Sequence, residues 1–122
     1  MTNLKYEITS ESKVIEKTTL FRIRALRDFG NVKSGDLGGW IEKESNLSHE
    51  RNSWVSENAQ VYGNSWVSGN AQVYGNAKVY DNALVFGDAK VSGNAQVCRN
   101  ALVAGYSWVS GNDIVSGNAL VF

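Results

Sequence analysis

The chain has 122 residues, one cysteine and no proline, and its 12 basic and 12 acidic side chains give a formal net charge of zero. A balanced charge provides no field that would steer the chain to nucleic acid or to an anionic membrane, so neither is expected as a direct partner. The single cysteine excludes a disulfide framework and a cysteine-based zinc site. The N-terminus lacks the apolar run of a signal peptide and no segment is apolar over a bilayer's width, so a cytoplasmic location is expected.

Residues 1–40 differ in kind from the rest of the chain. Residues 6–9 and 19–26 have the alternation of short strands, and a charged turn joins them. We interpret residues 1–40 as an N-terminal β cap, because the strand ends of the following segment would otherwise template aggregation. The alternative interpretation of this segment is an anion-binding site built from Arg22, Arg24 and Arg27.

A six-residue repeat occupies residues 52–122. Its unit is Gly-Asn-Ala-x-Val-x, with alanine or serine two residues before nearly every valine and Asn or Asp three residues before eleven of twelve. Tyr106 is the exception in the Asn/Asp series. The repeating valines are Val55, Val61, Val67, Val73, Val79, Val85, Val91, Val97, Val103, Val109, Val115 and Val121.

The repeat predicts a solenoid of short strands. Alternating inward and outward residues favour a strand, Gly-Asn supplies a corner that tolerates positive φ, and a six-residue spacing does not form a helical stripe. A closed coil needs at least three strands, and three six-residue units give about 18 residues per coil. Ile41 and Leu47 extend the spacing upstream, and eight residues separate Leu47 from Val55, so two extra residues should bulge near His49 and Glu50.

A coil of this length places the outward residues on three flat faces. The first face carries Trp54, Gln72, Lys90, Trp108, Ser56, Tyr74, Ser92 and Ser110. The second face carries Gln60, Lys78, Gln96, Ile114, Tyr62, Tyr80, Cys98 and Ser116. The third face carries Trp66, Leu84, Leu102, Leu120, Ser68, Phe86, Ala104 and Phe122.

The third face is predicted to be an interface, because it combines six large apolar residues with no charge. Such a patch exceeds what monomers usually expose. Its occupant is a second copy of the chain in a dimer or trimer, a foreign partner, or the N-terminal segment; the first is the commonest solution in soluble proteins. The predicted interface residues are Trp66, Leu84, Phe86, Leu102, Leu120 and Phe122. The candidates for binding a protein partner are Trp54, Trp108, Tyr62, Tyr74 and Tyr80.

The repeat resembles the hexapeptide repeat of left-handed parallel β-helices. The resemblance implies an all-β, left-handed, triangular solenoid over residues 41–122, with about 4–5 coils. The segment 21–42 together with the Gly-Asn-Ala units is also similar to small bacterial and phage-encoded hexapeptide-repeat proteins, often labelled putative acyltransferase or polymer-forming protein.

That resemblance also implies candidate chemistry. Hexapeptide-repeat acyltransferases use a histidine as general base and hold acyl-CoA between the prisms of a trimer, which would make His49 the base and acetyl-CoA the cofactor. The long protruding loop and C-terminal extension usual in those enzymes do not occur in this sequence. One histidine also excludes the three-histidine zinc site of hexapeptide-type carbonic anhydrases, so no metal is expected.

The leading hypothesis is therefore a non-enzymatic, homo-oligomeric binding scaffold that requires no cofactor. Its flat faces would engage a macromolecular partner, and a phage origin would make an anti-CRISPR-like inhibitor of host defence one form of this function. The alternatives are an acyl-CoA-dependent acyltransferase using His49 and an end-to-end structural polymer.

Overall fold

The computed structural model describes residues 4–122 as an all-β chain in which a β hairpin leads into a parallel β-solenoid of about five coils. The cap strands are β1 (Tyr6–Ile15), β2 (Thr18–Ala25) and β3 (Leu37–Ile41), followed by a 3₁₀ turn at Glu44–Asn46. The solenoid strands are β4 (Trp54–Val55), β5 (Gln60–Val61), β6 (Trp66–Val67), β7 (Gln72–Val73), β8 (Lys78–Val79), β9 (Leu84–Val85), β10 (Lys90–Val91), β11 (Gln96–Val97), β12 (Leu102–Val103), β13 (Trp108–Val109), β14 (Ile114–Val115) and β15 (Leu120–Val121). Among residues 4–122, no helix has the length and hydrophobicity that a membrane crossing requires.

Three parallel ladders form the sides of the solenoid. They follow the orders β4-β7-β10-β13, β5-β8-β11-β14 and β6-β9-β12-β15, which are the first, second and third faces. Trp54 pairs with Gln72 and Lys90 with Trp108, so that each strand lies beside the strand 18 residues further on. The predicted coil length and the assignment of residues to faces are confirmed.

The upper coil contains the predicted insertion. Ile41 pairs with Val61, and Leu47 forms a bridge with Val67, so both partners are 20 residues apart. The two additional residues lie in the bend before β4, where Arg51 has a φ of 56°. The solenoid register therefore extends above the twelve valines.

The core is a column of valine and alanine. The repeat valines from Val55 to Val103 and the alanines two residues before them are almost completely buried, whereas Val115 and Val121 at the lower end are half-buried. Each buried valine contributes roughly 1.5–3 kcal/mol, and each coil supplies the apolar surface that its neighbours need.

Asparagine ladders run down two of the corners. Each side-chain amide donates to the carbonyl oxygen of the asparagine 18 residues further on, at 3.3–3.4 Å. The two ladders comprise Asn58, Asn76, Asn94 and Asn112, and Asn64, Asn82, Asn100 and Asn118. At the third corner Asn70 donates to Asp88 at 3.2 Å, and Tyr106 occupies the next position.

The cap continues the second face upward. β2 pairs antiparallel with β1 and β3, and β3 pairs parallel with β5, which gives a seven-stranded sheet. β3 crosses the predicted boundary between residues 40 and 41, so the cap and the solenoid share one sheet. Tyr6, Ile23 and Phe29 join the valine core. The alternative in which the N-terminal segment covers the third face is wrong for residues 4–122, because Trp66, Leu120 and Phe122 on that face remain exposed.

Candidate functional site

His49 lies between the cap and the first coil. Its ring stacks on Tyr6 with centroids 4.1 Å apart, and its Nδ1 accepts a hydrogen bond from the Lys5 backbone amide at 3.2 Å. Its Nε2 lies 3.8 Å from a Glu44 carboxylate oxygen. Burial lowers the pKa of His49, and the charges of Lys5 and Arg27 lower it further, partly opposed by Glu44.

These contacts leave His49 poorly placed as a general base. Because Nδ1 already accepts a hydrogen bond, the neutral ring carries its proton on Nε2 and has no lone pair directed at a substrate. Only 22% of the side chain is exposed, although His49 lies in the irregular bend that the sequence predicts. The geometry is that of a packed structural residue that fixes the start of the solenoid.

The three arginines of the predicted anion site have separate partners. Arg22 donates to the Gly38 carbonyl at 2.8 Å, and its guanidinium carbon lies 4.4 Å from the centroid of the Trp40 ring. Arg24 donates to the Glu7 carboxylate. Arg27 donates to the carbonyl of His49 at 3.1 Å. Hydrogen bonds within the protein therefore engage all three guanidinium groups, which removes the support for an anion site.

Trp54 is not available to a partner, contrary to its prediction as a binding residue. Its ring contacts Phe29 edge to face, with centroids 5.2 Å apart, and only 4% of the residue is exposed. The sequence places Trp54 at an outward repeat position, but the loop at residues 29–32 folds over the top of the first face. The cap thus converts an outward residue into a core residue.

The third face is uncovered among the described residues. Trp66 is 47% exposed, Leu120 63% and Phe122 76%, while Leu84, Phe86 and Leu102 are half-buried. Rows of aliphatic residues align in register, since Leu84 pairs with Leu102 and Leu102 with Leu120. All six predicted interface residues therefore lie on one continuous surface.

The second face carries an aromatic stack. The rings of Tyr62 and Tyr80 are nearly parallel with centroids 5.2 Å apart, and the Tyr80 hydroxyl donates to Gln96 at 3.1 Å. Burial, followed by a hydrogen bond with Cys98, raises the pKa of Tyr80 to about 12. Cys98 is buried beside this stack. The two tyrosines are neutral at physiological pH and present a rigid surface of mixed polarity.

The lower part of the first face is exposed and chemically mixed. Trp108 is 64% exposed, its Nε1 donates to the Ser92 hydroxyl at 2.9 Å, and Lys90 Nζ lies 6.0 Å from the centroid of its ring. Tyr106 is 88% exposed. Above them is a groove of about 520 Å³ between this face and the loop at residues 29–32, and its lining includes Tyr74. Sequence reasoning included Trp108 and Tyr74 but missed Tyr106, whose signal was its exception to the Asn/Asp series.

Within residues 4–122, no three His, Cys, Asp or Glu side chains are grouped so that they could hold a metal ion.

Known proteins provide a fold-level comparison. Residues 59–75 match the family described as YdcK beta solenoid repeat. The chain is 35% identical over 68 residues to an Escherichia coli (strain K12) protein named "Uncharacterized acetyltransferase YdcK", a match that covers 48% of this chain and 21% of that protein. The chain therefore spans about a fifth of the length of this curated relative.

Proposed function

We propose that this chain, a hexapeptide-repeat β-solenoid protein, is a non-enzymatic binding scaffold that assembles with copies of itself through the third face. The supporting observation is that face's continuous row of exposed and half-buried apolar side chains, with no charge among its outward residues. Apolar patches of several hundred Å² mark interaction sites in soluble proteins.

A second copy is the occupant that the charges favour. The first face carries Lys90 and the second face carries Lys78, so packing either against a copy of itself would desolvate an ammonium group. Packing the third face against its own copy would desolvate no charged side chain. Its aliphatic rows also repeat at the strand spacing of about 4.8 Å, which lets two copies related by symmetry interdigitate over several coils.

The second face would then remain available for a protein partner. Tyr62 and Tyr80 form a preorganised pair, and rigid tyrosines contribute contact area at low entropic cost. If the chain is phage-encoded, a component of a host defence system is the proposed partner. Binding to a purified defence complex tests this proposed partner, and the Tyr62→Ala/Tyr80→Ala variant should lose that binding.

The assembly is tested by solution mass from size-exclusion chromatography with light scattering. Wild type should form a defined dimer or trimer, and Leu102→Glu should be a monomer because each copy would bury a carboxylate in the interface. Ile114→Glu is the matched control: it places the same charge at the same repeat position of the second face, where Ile114 is 65% exposed, and should leave the mass unchanged.

The outcomes separate the proposal from its alternatives. A monomeric wild type, or an assembled and folded Leu102→Glu, contradicts assembly through the third face. A mass that rises continuously with concentration supports the end-to-end polymer. Far-ultraviolet circular dichroism of each variant verifies that it has folded.

An acyl-CoA-dependent acyltransferase is the second candidate, and the acetyltransferase name of the Escherichia coli relative favours it. Our proposal predicts no rise in melting temperature when CoA is added at about 1 mM. It also predicts that His49→Ala destabilises the fold by about 1–2 kcal/mol through lost stacking and a lost hydrogen bond. A CoA-induced rise that His49→Ala abolishes would support the enzyme instead.

A further inference from the structure

The exposed part of the first face changes in composition from one coil to the next. Two outward columns descend side by side: Asn70, Asp88 and Tyr106 at the corner, and Gln72, Lys90 and Trp108 beside them. A pair of amides is thus followed by a pair of opposite charges and then by a pair of aromatic rings. Trp54, at the top of the second column, is already covered by the cap.

Tyr106 departs from what the fold requires. At the equivalent positions of the other two corners, Asn112 and Asn118 receive ladder hydrogen bonds at 3.4 and 3.3 Å. Tyr106 replaces that amide with a ring that is 88% exposed. Asp88 above it has no amide to donate, but an asparagine at position 106 could donate to the Asp88 carboxylate; Tyr106 gives up that hydrogen bond and exposes an aromatic ring, which indicates that this residue serves binding.

Trp108 is held in a fixed orientation beside it. The hydrogen bond from its Nε1 to Ser92 anchors the indole edge on the coil above, while most of the residue stays exposed. An oriented and exposed indole is a preorganised stacking platform, since little rotamer entropy remains to be lost when a ligand binds.

The polar groups above the platform are also positioned. Gln72 Nε2 donates to the Asn52 carbonyl at 3.0 Å, and Asn70 Nδ2 donates to Asp88 at 3.2 Å. Lys90 and Tyr74 line the same groove. The aromatic pair and the amide pair lie two coil spacings apart. This distance, on the order of 10 Å, matches the length of a disaccharide unit.

We propose that this strip of the first face is a saccharide-binding site. The aromatic rings would stack on the apolar C–H face of a pyranose, and the amide, carboxylate and ammonium groups would bind its hydroxyls. Nucleic acid is disfavoured because Asp88 and Glu57 line the groove and, of the lining residues that the structure describes, Lys90 alone is cationic. An apolar peptide is disfavoured because most of the lining is polar.

The chemistry of the strip selects the probes. β-1,4-linked glucose and N-acetylglucosamine chains are extended ribbons whose rings present C–H faces, and a chain laid along the prism axis would reach all three pairs. We would titrate cellotetraose and chitotetraose up to about 10 mM, following tryptophan fluorescence and saturation-transfer NMR. Saturable binding of at least one of them is the expected result.

Three variants assign the binding to the strip. Trp108→Ala should weaken saccharide affinity at least about tenfold in the NMR experiment. Ile114→Ala, at the same repeat position on the neighbouring face with similar exposure, should leave it unchanged. Tyr106→Asn should weaken saccharide affinity about threefold or more without lowering the melting temperature, because asparagine suits the corner. If Tyr106 had only a structural role, the substitution would lower the melting temperature. No saturable binding of either probe, or equal effects of Trp108→Ala and Ile114→Ala, overturns the proposal.

This inference adds a ligand class to the scaffold function but does not require self-assembly. Repeating the titration with Leu102→Glu separates the two proposals. If the wild type is monomeric and still binds saccharide, the monomeric state contradicts third-face assembly, and the saccharide-binding proposal is unaffected. If the wild type assembles but binds no saccharide, the saccharide site is contradicted and third-face assembly is supported.

Discussion

At the residue scale, Lys5 is the buried charge that closes the top of the solenoid. Its ammonium group donates to the Ser53 carbonyl at 2.5 Å and to the Ser53 hydroxyl at 3.1 Å, and it lies 5.0 Å from the Phe29 ring centroid. Among residues 4–122, β4 pairs with no strand above it, so the backbone acceptors at this edge need a donor from elsewhere. Lys5 supplies that donor at the cost of desolvating a charge.

This arrangement predicts a stability that increases with pH. Burial, followed by the charge of Arg27, lowers the pKa of Lys5 from 10.5 to about 8. The unfolded chain therefore binds more protons between these values, and the free energy of unfolding rises across that window. From pH 8 to 9.5 we expect a gain of about 1–2 kcal/mol in urea unfolding. The pKa of Tyr6 is raised by burial, which lowers stability only above its ordinary value near 10.

Lys5→Met is the control for this prediction, because it removes the titrating group and keeps the length of the side chain. Its unfolding free energy should change less over the same pH range. A wild type whose stability is flat between pH 8 and 9.5 would contradict the assignment of a lowered pKa to Lys5.

At the scale of the element, the corner is the part of the repeat with the most restricted backbone conformation. The first corner residue has positive φ throughout, and Glu57, Asp81 and Arg99 take the place of glycine with φ of 57°, 59° and 58°. The carboxylates of Glu57 and Asp81 accept hydrogen bonds from backbone amides of the next coil, those of Gly75 at 2.8 Å and Arg99 at 3.1 Å. At these two positions an added hydrogen bond between coils offsets the strain of a non-glycine residue.

Two glycines allow the strain and the packing of a corner to be separated. Gly87 and Gly111 have φ of 68° and 62°, but a Cβ on Gly87 would lie 3.0 Å from the Gly105 amide, whereas one on Gly111 would meet nothing within 4 Å. Both alanine substitutions should cost the conformational penalty of about 1–2 kcal/mol. Gly87→Ala should cost about 1 kcal/mol more, because the Gly105 backbone must shift by a few tenths of an ångström to admit the added carbon.

Urea unfolding of both glycine variants measures that difference. Equal destabilisation by Gly87→Ala and Gly111→Ala would mean that the coils tolerate the added carbon and that close approach does not restrict this corner.

At the scale of the whole molecule, the solenoid is stabilised unevenly along its axis. The cap buries Trp54 and the upper valines, while Val115 and Val121 at the lower end are half-buried. Stability in such a chain is close to a sum of coil and neighbour contributions. The lower coils of this chain should therefore open first.

Matched valine substitutions test this gradient. Val79→Ala removes two methyl groups from a fully buried position and should cost about 2–3 kcal/mol, whereas Val121→Ala should cost about 1 kcal/mol or less. Urea unfolding gives both values. The contrast should be measured in the Leu102→Glu background, because assembly would cover the third face near Val121. Equal costs there would contradict a stability gradient.

The six-residue repeat is enough to specify the solenoid, because each unit carries its own strand, corner and buried valine and contacts only its neighbours. Coil length, the three faces and the two-residue bulge near His49 follow from counting along the chain and are confirmed. Which of the outward residues stay exposed depends instead on how the cap packs against the solenoid. Trp54 is buried and His49 is stacked because the cap, which lacks the repeat, folds back over the first coil. Contacts between a non-repeating segment and a repeat depend on long-range packing, which no local periodicity encodes.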